Sequence, residues 1–160
     1  VMVKKSVLMA MFFTSTCAFA QTQEIATCKS PEGMAYRHFV GTLDKASAGW
    51  SEERISNGIL TLARAKDGQF EMLYVDAMKK PISMSQEGGR VVLLRAGPVE
   101  ISLLVHYAEG SATEIYSFFT EKDGKSKYTV VTSRTGPRAF LSKTSVMLGD
   151  CSAIRFDLLK

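Results

Sequence analysis

Apolar and polar residues alternate along much of the chain with a period of two. Every second residue is apolar in the segments 70–74, 101–107 and 154–158. This period places successive side chains on opposite faces of a β-strand, whereas a helix repeats its apolar positions every three to four residues. The pattern therefore predicts strands with one face in a core and the other face outward.

Turn-forming dipeptides divide the same part of the chain into short segments. Each dipeptide supplies a residue that tolerates positive φ, or a proline that fixes φ, as a tight chain reversal requires. The dipeptides are Asn57-Gly58, Asp67-Gly68, Gly88-Gly89, Gly97-Pro98, Glu109-Gly110, Asp123-Gly124, Gly136-Pro137 and Gly149-Asp150, with a further break at Lys80-Pro81. Asp123-Gly124 is the best hairpin candidate, because β-branched and aromatic residues flank it on both sides.

Alternation and turns together predict a chain of short strands and at most one short helix near the N-terminus. We expect that helix between Thr42 and Ser56, where Gly49 interrupts it. The predicted strands are residues 35–40, 59–65, 69–76, 82–86, 90–96, 100–108, 113–121, 126–133, 140–148 and 153–159. About 8–10 strands indicate an all-β fold with a single antiparallel meander domain. A β-barrel is favoured over a sandwich, because closing the sheet removes its free edges.

The first twenty residues have the features of an export signal. A pair of lysines is followed by an apolar stretch over residues 7–13, and Ala18 and Ala20 supply small side chains at the positions that define cleavage. We expect cleavage after Ala20, which leaves residues 21–160 as a single disulfide-closed β-domain without an integral membrane segment. The expected location is the bacterial periplasm or the outside of the cell. The alternative is a short buried helix that opens the domain.

The cysteines support the same compartment. Cys17 lies within the export signal, and only Cys28 and Cys151 remain after it is removed. In an exported chain two cysteines are most simply interpreted as one disulfide bond, which predicts that the two ends of the domain meet. Two alternatives stay open, namely a pair of unpaired buried cysteines and a lipid-modified Cys17.

Charge gives little support for a nucleic-acid partner, and none is predicted. The chain has 20 Lys and Arg against 16 Asp and Glu, and removal of the two signal lysines lowers the formal net charge from +4 to +2. Nucleic-acid binding needs clustered basic residues that displace counterions. Basic residues toward the C-terminal third form either a patch for an anionic partner or a charged outer face of strands. They are Lys125, Lys127, Arg134, Arg138, Lys143 and Arg155.

Signals for catalysis and for metal binding are sparse. His38 and His106 lie far apart in the sequence, and no nucleophile elbow, calcium loop or phosphate-binding loop accompanies them. No catalytic residue, metal site or cofactor is therefore predicted. His106 shares a strand face with Ser102, which leaves a small hydrolase or isomerase as an alternative function.

Aromatic residues on the predicted strands give the best indication of a binding site. They line either a packed core or a cavity for an apolar ligand. The candidate ligand-binding residues are Trp50, Tyr74, His106, Tyr116, Arg134 and Arg138. We expect a non-enzymatic binding module for a small apolar ligand or a protein partner. An inhibitor that acts through the loop 134–138 is a further alternative.

Overall fold

The computed structural model describes residues 22–75, 80–136, 139 and 141–159. The predicted export signal, residues 1–20, lies outside these described residues. Within them the chain is all-β, as the alternation predicts. The helical elements of this part are two short 3₁₀ helices, Lys45–Ser47 and Phe156–Leu159.

Ten strands form one antiparallel sheet. Their bounds are β1 Gln23–Arg37, β2 Gly49–Arg54, β3 Ile59–Arg64, β4 Phe70–Val75, β5 Pro81–Ser83, β6 Gly89–Ala96, β7 Glu100–Tyr107, β8 Ala112–Thr120, β9 Ser126–Arg134 and β10 Lys143–Cys151. The order in the sheet is β5-β4-β3-β1-β10-β9-β8-β7-β6, and β2 pairs with β1 beyond β3. The sheet thus consists of two meanders, β1 to β5 and β6 to β10, which join where β1 pairs with β10.

The sheet curls into a half-barrel. Its two terminal strands, β5 and β6, follow each other in the chain. The turn that joins them is held by bonds from the Glu87 N–H to the Ser83 carbonyl, 3.1 Å, and from the Gly89 N–H to the Met84 carbonyl, 2.8 Å. A single curled sheet agrees with a barrel better than with a sandwich. Within the described residues, however, the strand pairing ends at β5 and β6 and does not form a complete ring.

A bend in β1 produces part of this curl. Ser30 has a φ of 50°, and the register with β10 shifts at this point. On its other side β1 pairs with β3 over residues 23–29 and with β2 over residues 32–37. The Ser30 N–H donates to the carbonyl of Gly58, 3.0 Å away, between β2 and β3. β2 and β3 therefore act as one bent partner of β1, and a bulge of this kind increases the local twist of a sheet.

The core lies on the concave face of the sheet. Ile101, Leu103 and Val105 of β7 have no solvent exposure, so the alternation predicted for this segment is confirmed. Burial of one such side chain stabilises the fold by roughly 1.5–3 kcal/mol relative to leaving it exposed. The largest fully buried hydrophobic side chains are Phe118, Ile25, Leu62, Met72, Ile101, Leu103 and Val105.

A disulfide bond joins the two meanders. Cys28 of β1 and Cys151 of β10 are register partners with Cα atoms 3.9 Å apart, and they are separated by 123 positions in the sequence. The predicted pairing is therefore confirmed. Immediately beyond it, the Ser152 N–H donates to the Thr27 carbonyl at 2.8 Å. The first and last strands thus meet, as the positions of the cysteines predict.

The Asp123-Gly124 hairpin is also confirmed. It connects β8 to β9, and Gly124 adopts a φ of 84° that favours glycine. The Glu121 N–H donates to the Lys125 carbonyl at 2.8 Å and closes the turn. The Asp123 carboxylate accepts a bond from the Lys125 N–H, which stabilises the turn further.

The short helix expected between Thr42 and Ser56 is present only as a 3₁₀ turn, and two other predictions of local structure are wrong. The segment between Thr42 and Ser56 contains only the 3₁₀ helix Lys45–Ser47, which Asp44 caps, and continues as β2. The segment 153–159 alternates like a strand but ends in the 3₁₀ helix Phe156–Leu159, which packs against the core. Alternation fails there because these apolar residues cover the core without a neighbouring strand to pair with.

Gly149-Asp150 is not a turn. Both residues lie inside β10, where Gly149 is the register partner of Tyr128. The Tyr128 ring and the Lys29 carbonyl fill the space that a Cβ at position 149 would need. The glycine is therefore required by close packing rather than by a chain reversal.

Candidate functional site

An open cavity of about 780 Å³ occupies one end of the concave face. Inner-face residues of β7 to β10 form one wall, and residues of β3, β4 and the connecting turns form the other. The residues that line the cavity include Leu60, Tyr74, Met84, Glu87, Tyr107, Glu109, Glu114, Tyr116, Tyr128, Val130, Arg134, Lys143 and Met147. Small-molecule sites have volumes of about 300–1,000 Å³, so this cavity is large enough for a small ligand.

Four tyrosines line the cavity: Tyr74, Tyr107, Tyr116 and Tyr128. Two of them pack against glycines on neighbouring strands. A ring carbon of Tyr107 lies only 2.7 Å from the position that a Cβ of Gly89 would take. Tyr128 packs in the same way against its register partner in β10. Tyrosine rings pressed onto glycine backbone are held rigidly, which gives the cavity a preformed aromatic wall.

A carboxylate on the inner face of β8 joins two of the lining residues. The Tyr116 hydroxyl donates to Glu114 Oε2 at 2.6 Å, and Arg134 Nη2 lies 3.9 Å from Glu114 Oε1. The Glu114 side chain is 13% exposed, whereas that of Arg134 is 41% exposed. The negative end of this ion pair therefore faces the interior, and its positive end faces the mouth.

A second ion pair lies beside the first. Lys143 of β10 is the register partner of Arg134, and its ammonium group is bonded to the carboxylate of Glu53 from β2. Both side chains are largely buried. Three buried polar atoms near this pair, Ser51 Oγ, Glu53 Oε2 and Ser145 Oγ, have no hydrogen-bond partner among the described residues. This part of the interior is thus polar, unlike the core below it.

Tyr107, Tyr116 and Tyr128 are kept in their neutral form. Burial, and then the charges of Glu114 and Glu87, raise the pKa of Tyr107 well above its usual value, and Arg134 opposes this only weakly. Burial and the hydrogen bond to Glu114 raise the pKa of Tyr116, and burial alone raises that of Tyr128. The phenols therefore act as neutral hydrogen-bonding groups in a negative potential.

The structure brings three of the six predicted ligand-binding residues together. Tyr74, Tyr116 and Arg134 all line the cavity. Trp50 does not: its side chain is 68% exposed on the outer face, where its ring contacts Tyr36 with the centroids 5.4 Å apart. Arg138, and with it part of the predicted loop 134–138, lies outside the described residues.

His106 also lies away from the cavity. Its Nδ1 is 3.1 Å from Thr113 Oγ1, on the outer face of β7 and β8. Ser102, which shares this face, is bonded to Ser117 Oγ at 2.9 Å. His106 and Ser102 thus contact different residues of β8. In the described residues no group of three or more histidines, cysteines or carboxylates is suited to hold a metal ion.

The six predicted ligand-binding residues do not include Tyr107, Tyr128, Lys143 or the carboxylates of the cavity. One available signal was the phase of β8, in which Glu114 shares its face with Tyr116 and Phe118. A carboxylate on an otherwise apolar face indicates a polar site in the interior, because a buried charge must be paired. The remaining residues come from separate strands, and only the topology brings them together.

No protein-family model matches this chain. A search of curated proteins and a search of solved structures likewise give no match. Among the residues that the structure describes, no helix has the length and apolar character needed to cross a membrane.

Proposed function

We propose that the chain is an exported binding protein that holds a small, largely apolar ligand inside the half-barrel. The cavity of about 780 Å³ beside the packed core carries this proposal. Ligand sites are typically concave, apolar or aromatic, and supplied with a few polar groups that fix orientation. Four tyrosines, two methionines and a small set of charged residues match that description.

The disulfide bond supports export. Cys28 and Cys151 are bonded in this structure, and disulfides persist in oxidising compartments such as the periplasm or the extracellular space. The export signal predicted over residues 1–20 is a second and independent argument for the same location. Together they favour a ligand that is met outside the cytoplasm.

A protein partner is the second candidate, and an apolar row on the outer face favours it. Met34, Val146, Val131 and Ile115 are register partners across β1, β10, β9 and β8, and each is at least 39% exposed. Apolar side chains aligned across several strands form the kind of patch that proteins use for association. On this reading, Val146→Lys abolishes partner binding and leaves ligand binding intact.

The ligand proposal is tested with a neutral apolar dye, N-phenyl-1-naphthylamine, whose fluorescence rises in apolar surroundings. Ala108 is exposed at the mouth of the cavity, so Ala108→Trp narrows access without disturbing the core. The matched control is Ala96→Trp, an exposed position of β6 that does not line the cavity. We expect saturable binding to the wild type and to the control, and about tenfold weaker binding to Ala108→Trp.

Two results would contradict the proposal. One is the absence of saturable binding to the oxidised wild-type protein. The other is binding that both tryptophan variants weaken equally, because the dye would then occupy a surface other than the cavity. Circular dichroism of each variant establishes that the comparison is made between folded proteins.

A further inference from the structure

We propose that the ligand carries a cationic group, an ammonium or quaternary ammonium, held between Glu114, Glu87 and the cavity tyrosines. This inference rests on the proposed function, because it names the class of ligand for the same cavity. The apolar part of the ligand then lies against Leu60, Met84, Val130 and Met147, which line the same cavity. The occupant is therefore a cationic amphiphile or an aryl-alkyl amine.

Among the residues that the structure describes, carboxylates exceed cations around the cavity. Glu87, Glu109 and Glu114 line it, against Arg134 and Lys143. Lys143 is already bonded to Glu53, whose carboxylate adds a further negative charge nearby. The positive charge of Lys143 is thus matched before any ligand binds, and the remaining charge of the walls is negative. An opposite charge on the ligand is favoured most in a partly desolvated site of this kind.

The position of each charge strengthens this argument. Glu114 is the buried member of its ion pair, and Arg134 is the exposed member at a separation of 3.9 Å. A ligand group that passes Arg134 therefore meets the Glu114 carboxylate, which accepts a bond from the Tyr116 hydroxyl at 2.6 Å. An anionic group at this depth would face Glu114 directly, which costs free energy through like-charge repulsion.

The tyrosines supply the second half of the site. Rings of tyrosine attract ammonium and quaternary ammonium ions through their negative faces, and grouped aromatic residues are a recognised arrangement for such ligands. Tyr74, Tyr107, Tyr116 and Tyr128 share the wall of one cavity here. The charges of Glu114 and Glu87, after burial, also raise the pKa of Tyr107, which agrees with a negative potential at the site.

Three probes with the same alkyl chain and different head groups test the charge preference: dodecyltrimethylammonium, dodecanol and dodecanoate. Each competes with N-phenyl-1-naphthylamine for the oxidised protein, at neutral pH, low salt and concentrations below micelle formation. We expect dodecyltrimethylammonium to bind about tenfold more tightly than dodecanol, and dodecanoate to bind most weakly. The preference for the cation should shrink as salt is added.

Charge-neutralising variants then locate the effect. We expect Glu114→Gln to weaken dodecyltrimethylammonium binding about tenfold, while dodecanol binding changes less than about twofold. Glu87 lies on an exposed turn, so Glu87→Gln should weaken dodecyltrimethylammonium binding by a smaller factor. This second variant leaves the ion pair between Glu114 and Arg134 in place. Glu52→Gln is the matched control, because Glu52 is exposed on the outer side of β2 and does not line the cavity.

The outcomes separate the two proposals. If dodecanol and the dye bind but the cation has no advantage, or if dodecanoate binds most tightly, the cationic ligand is excluded and the binding function stands. If neither the dye nor any of the three probes binds, the proposed function itself fails. The inference would also be overturned if Glu52→Gln weakened the preference for the cation as strongly as Glu87→Gln and Glu114→Gln. The preference would then reflect the net charge of the protein rather than the cavity.

Discussion

The two ends of the concave face differ in polarity although the same strands build both. On β8 the inner positions change along the strand from Ala112 and Glu114 at the cavity to Tyr116 and then the fully buried Phe118. On β9 the inner positions Tyr128, Val130, Thr132 and Arg134 all line the cavity, and Tyr128 is the register partner of Phe118. We call the fully buried end, with Ile25, Leu62, Met72, Ile101, Leu103 and Phe118, the packed region, and none of these residues lines the cavity.

Because the same strands build both ends of the concave face, the cavity does not result from the absence of a strand at its end. One curled sheet supplies a tightly packed interior at one end and an open polar interior at the other, because the inner side chains change in size and charge. The C-terminal segment adds to the asymmetry: Arg64 Nη1 donates to the Leu158 carbonyl at 2.8 Å, and the Arg155 N–H donates to the Ile25 carbonyl. These contacts cover the packed region alone.

The largest expected effect comes from the disulfide bond of Cys28 and Cys151. Its removal in a double serine variant should lower the free energy of unfolding by about 5 kcal/mol, because it closes a loop of more than 100 residues in the unfolded chain. Urea unfolding of the oxidised protein and the variant measures this difference. After cleavage at Ala20, which removes Cys17, the oxidised protein should also show no free thiol when unfolded without reductant, and two titratable thiols would contradict the bond.

A matched pair of leucines compares the two regions directly. Leu62 and Leu60 lie on the same face of β3, but Leu62 is fully buried in the packed region and Leu60 lines the cavity. Leu62→Ala should destabilise the protein by about 3–4 kcal/mol and Leu60→Ala by about 1–2 kcal/mol, because the cavity wall has fewer contacts to lose. Equal losses in chemical unfolding would show that the cavity end is packed as tightly as the core.

High pH probes the tyrosines at the boundary of the two regions. Burial raises the pKa of Tyr128 above its value of about 10 in an unfolded chain, so the phenol stays protonated when folded and ionises first when unfolded. This contribution to stability is present below about pH 10 and is lost as the pH rises through the folded-state pKa.

The free energy of unfolding should therefore fall as the pH rises above about 10. Tyr128→Phe should reduce that fall, since phenylalanine has no proton to lose. Tyr36→Phe, at a position 42% exposed on the outer face, is the control and should leave the fall almost unchanged. A fall that Tyr128→Phe does not alter would place the responsible group elsewhere.

The smallest expected effect concerns the polar atoms beside the cavity. Ser145 is almost fully buried, and its hydroxyl has no partner among the described residues, so Ser145→Ala should leave stability unchanged or raise it by up to about 1 kcal/mol. Ser102→Ala is the contrasting variant, because its hydroxyl is bonded to Ser117, and it should cost about 0.5–1.5 kcal/mol. A clear loss in Ser145→Ala would mean that its hydroxyl is satisfied in solution.

The sequence predicts the fold class well because alternation and turn residues are local signals. The face of β7 and the turn at Gly124 follow directly from residues that are neighbours in the chain. The pairing of β1 with β10 also follows, through the cysteines. Local alternation fails at residues 153–159, since a period of two does not distinguish a strand from an irregular segment that covers a core.

The cavity is less predictable for the same reason. Tyr107, Glu114, Arg134 and Lys143 belong to four different strands, and they share a site only because of the register across the sheet. Their phase along each strand shows that they face inward. Whether that interior is filled or open depends on how inner side chains from several strands fill the space between them, and no local pattern records this.

The position of the disulfide bond also has a mechanical consequence. A pulling force applied to the chain outside Cys28 and Cys151 passes from one segment to the other through the sulfur atoms of these register partners. Once residues 23–27 have separated from β3 and residues 152–159 from the core, the 122 residues enclosed by the bond, which include the cavity, carry none of that tension. Tethering or stretching the molecule by its ends should therefore leave the ligand site at its resting shape until the bond itself is reduced.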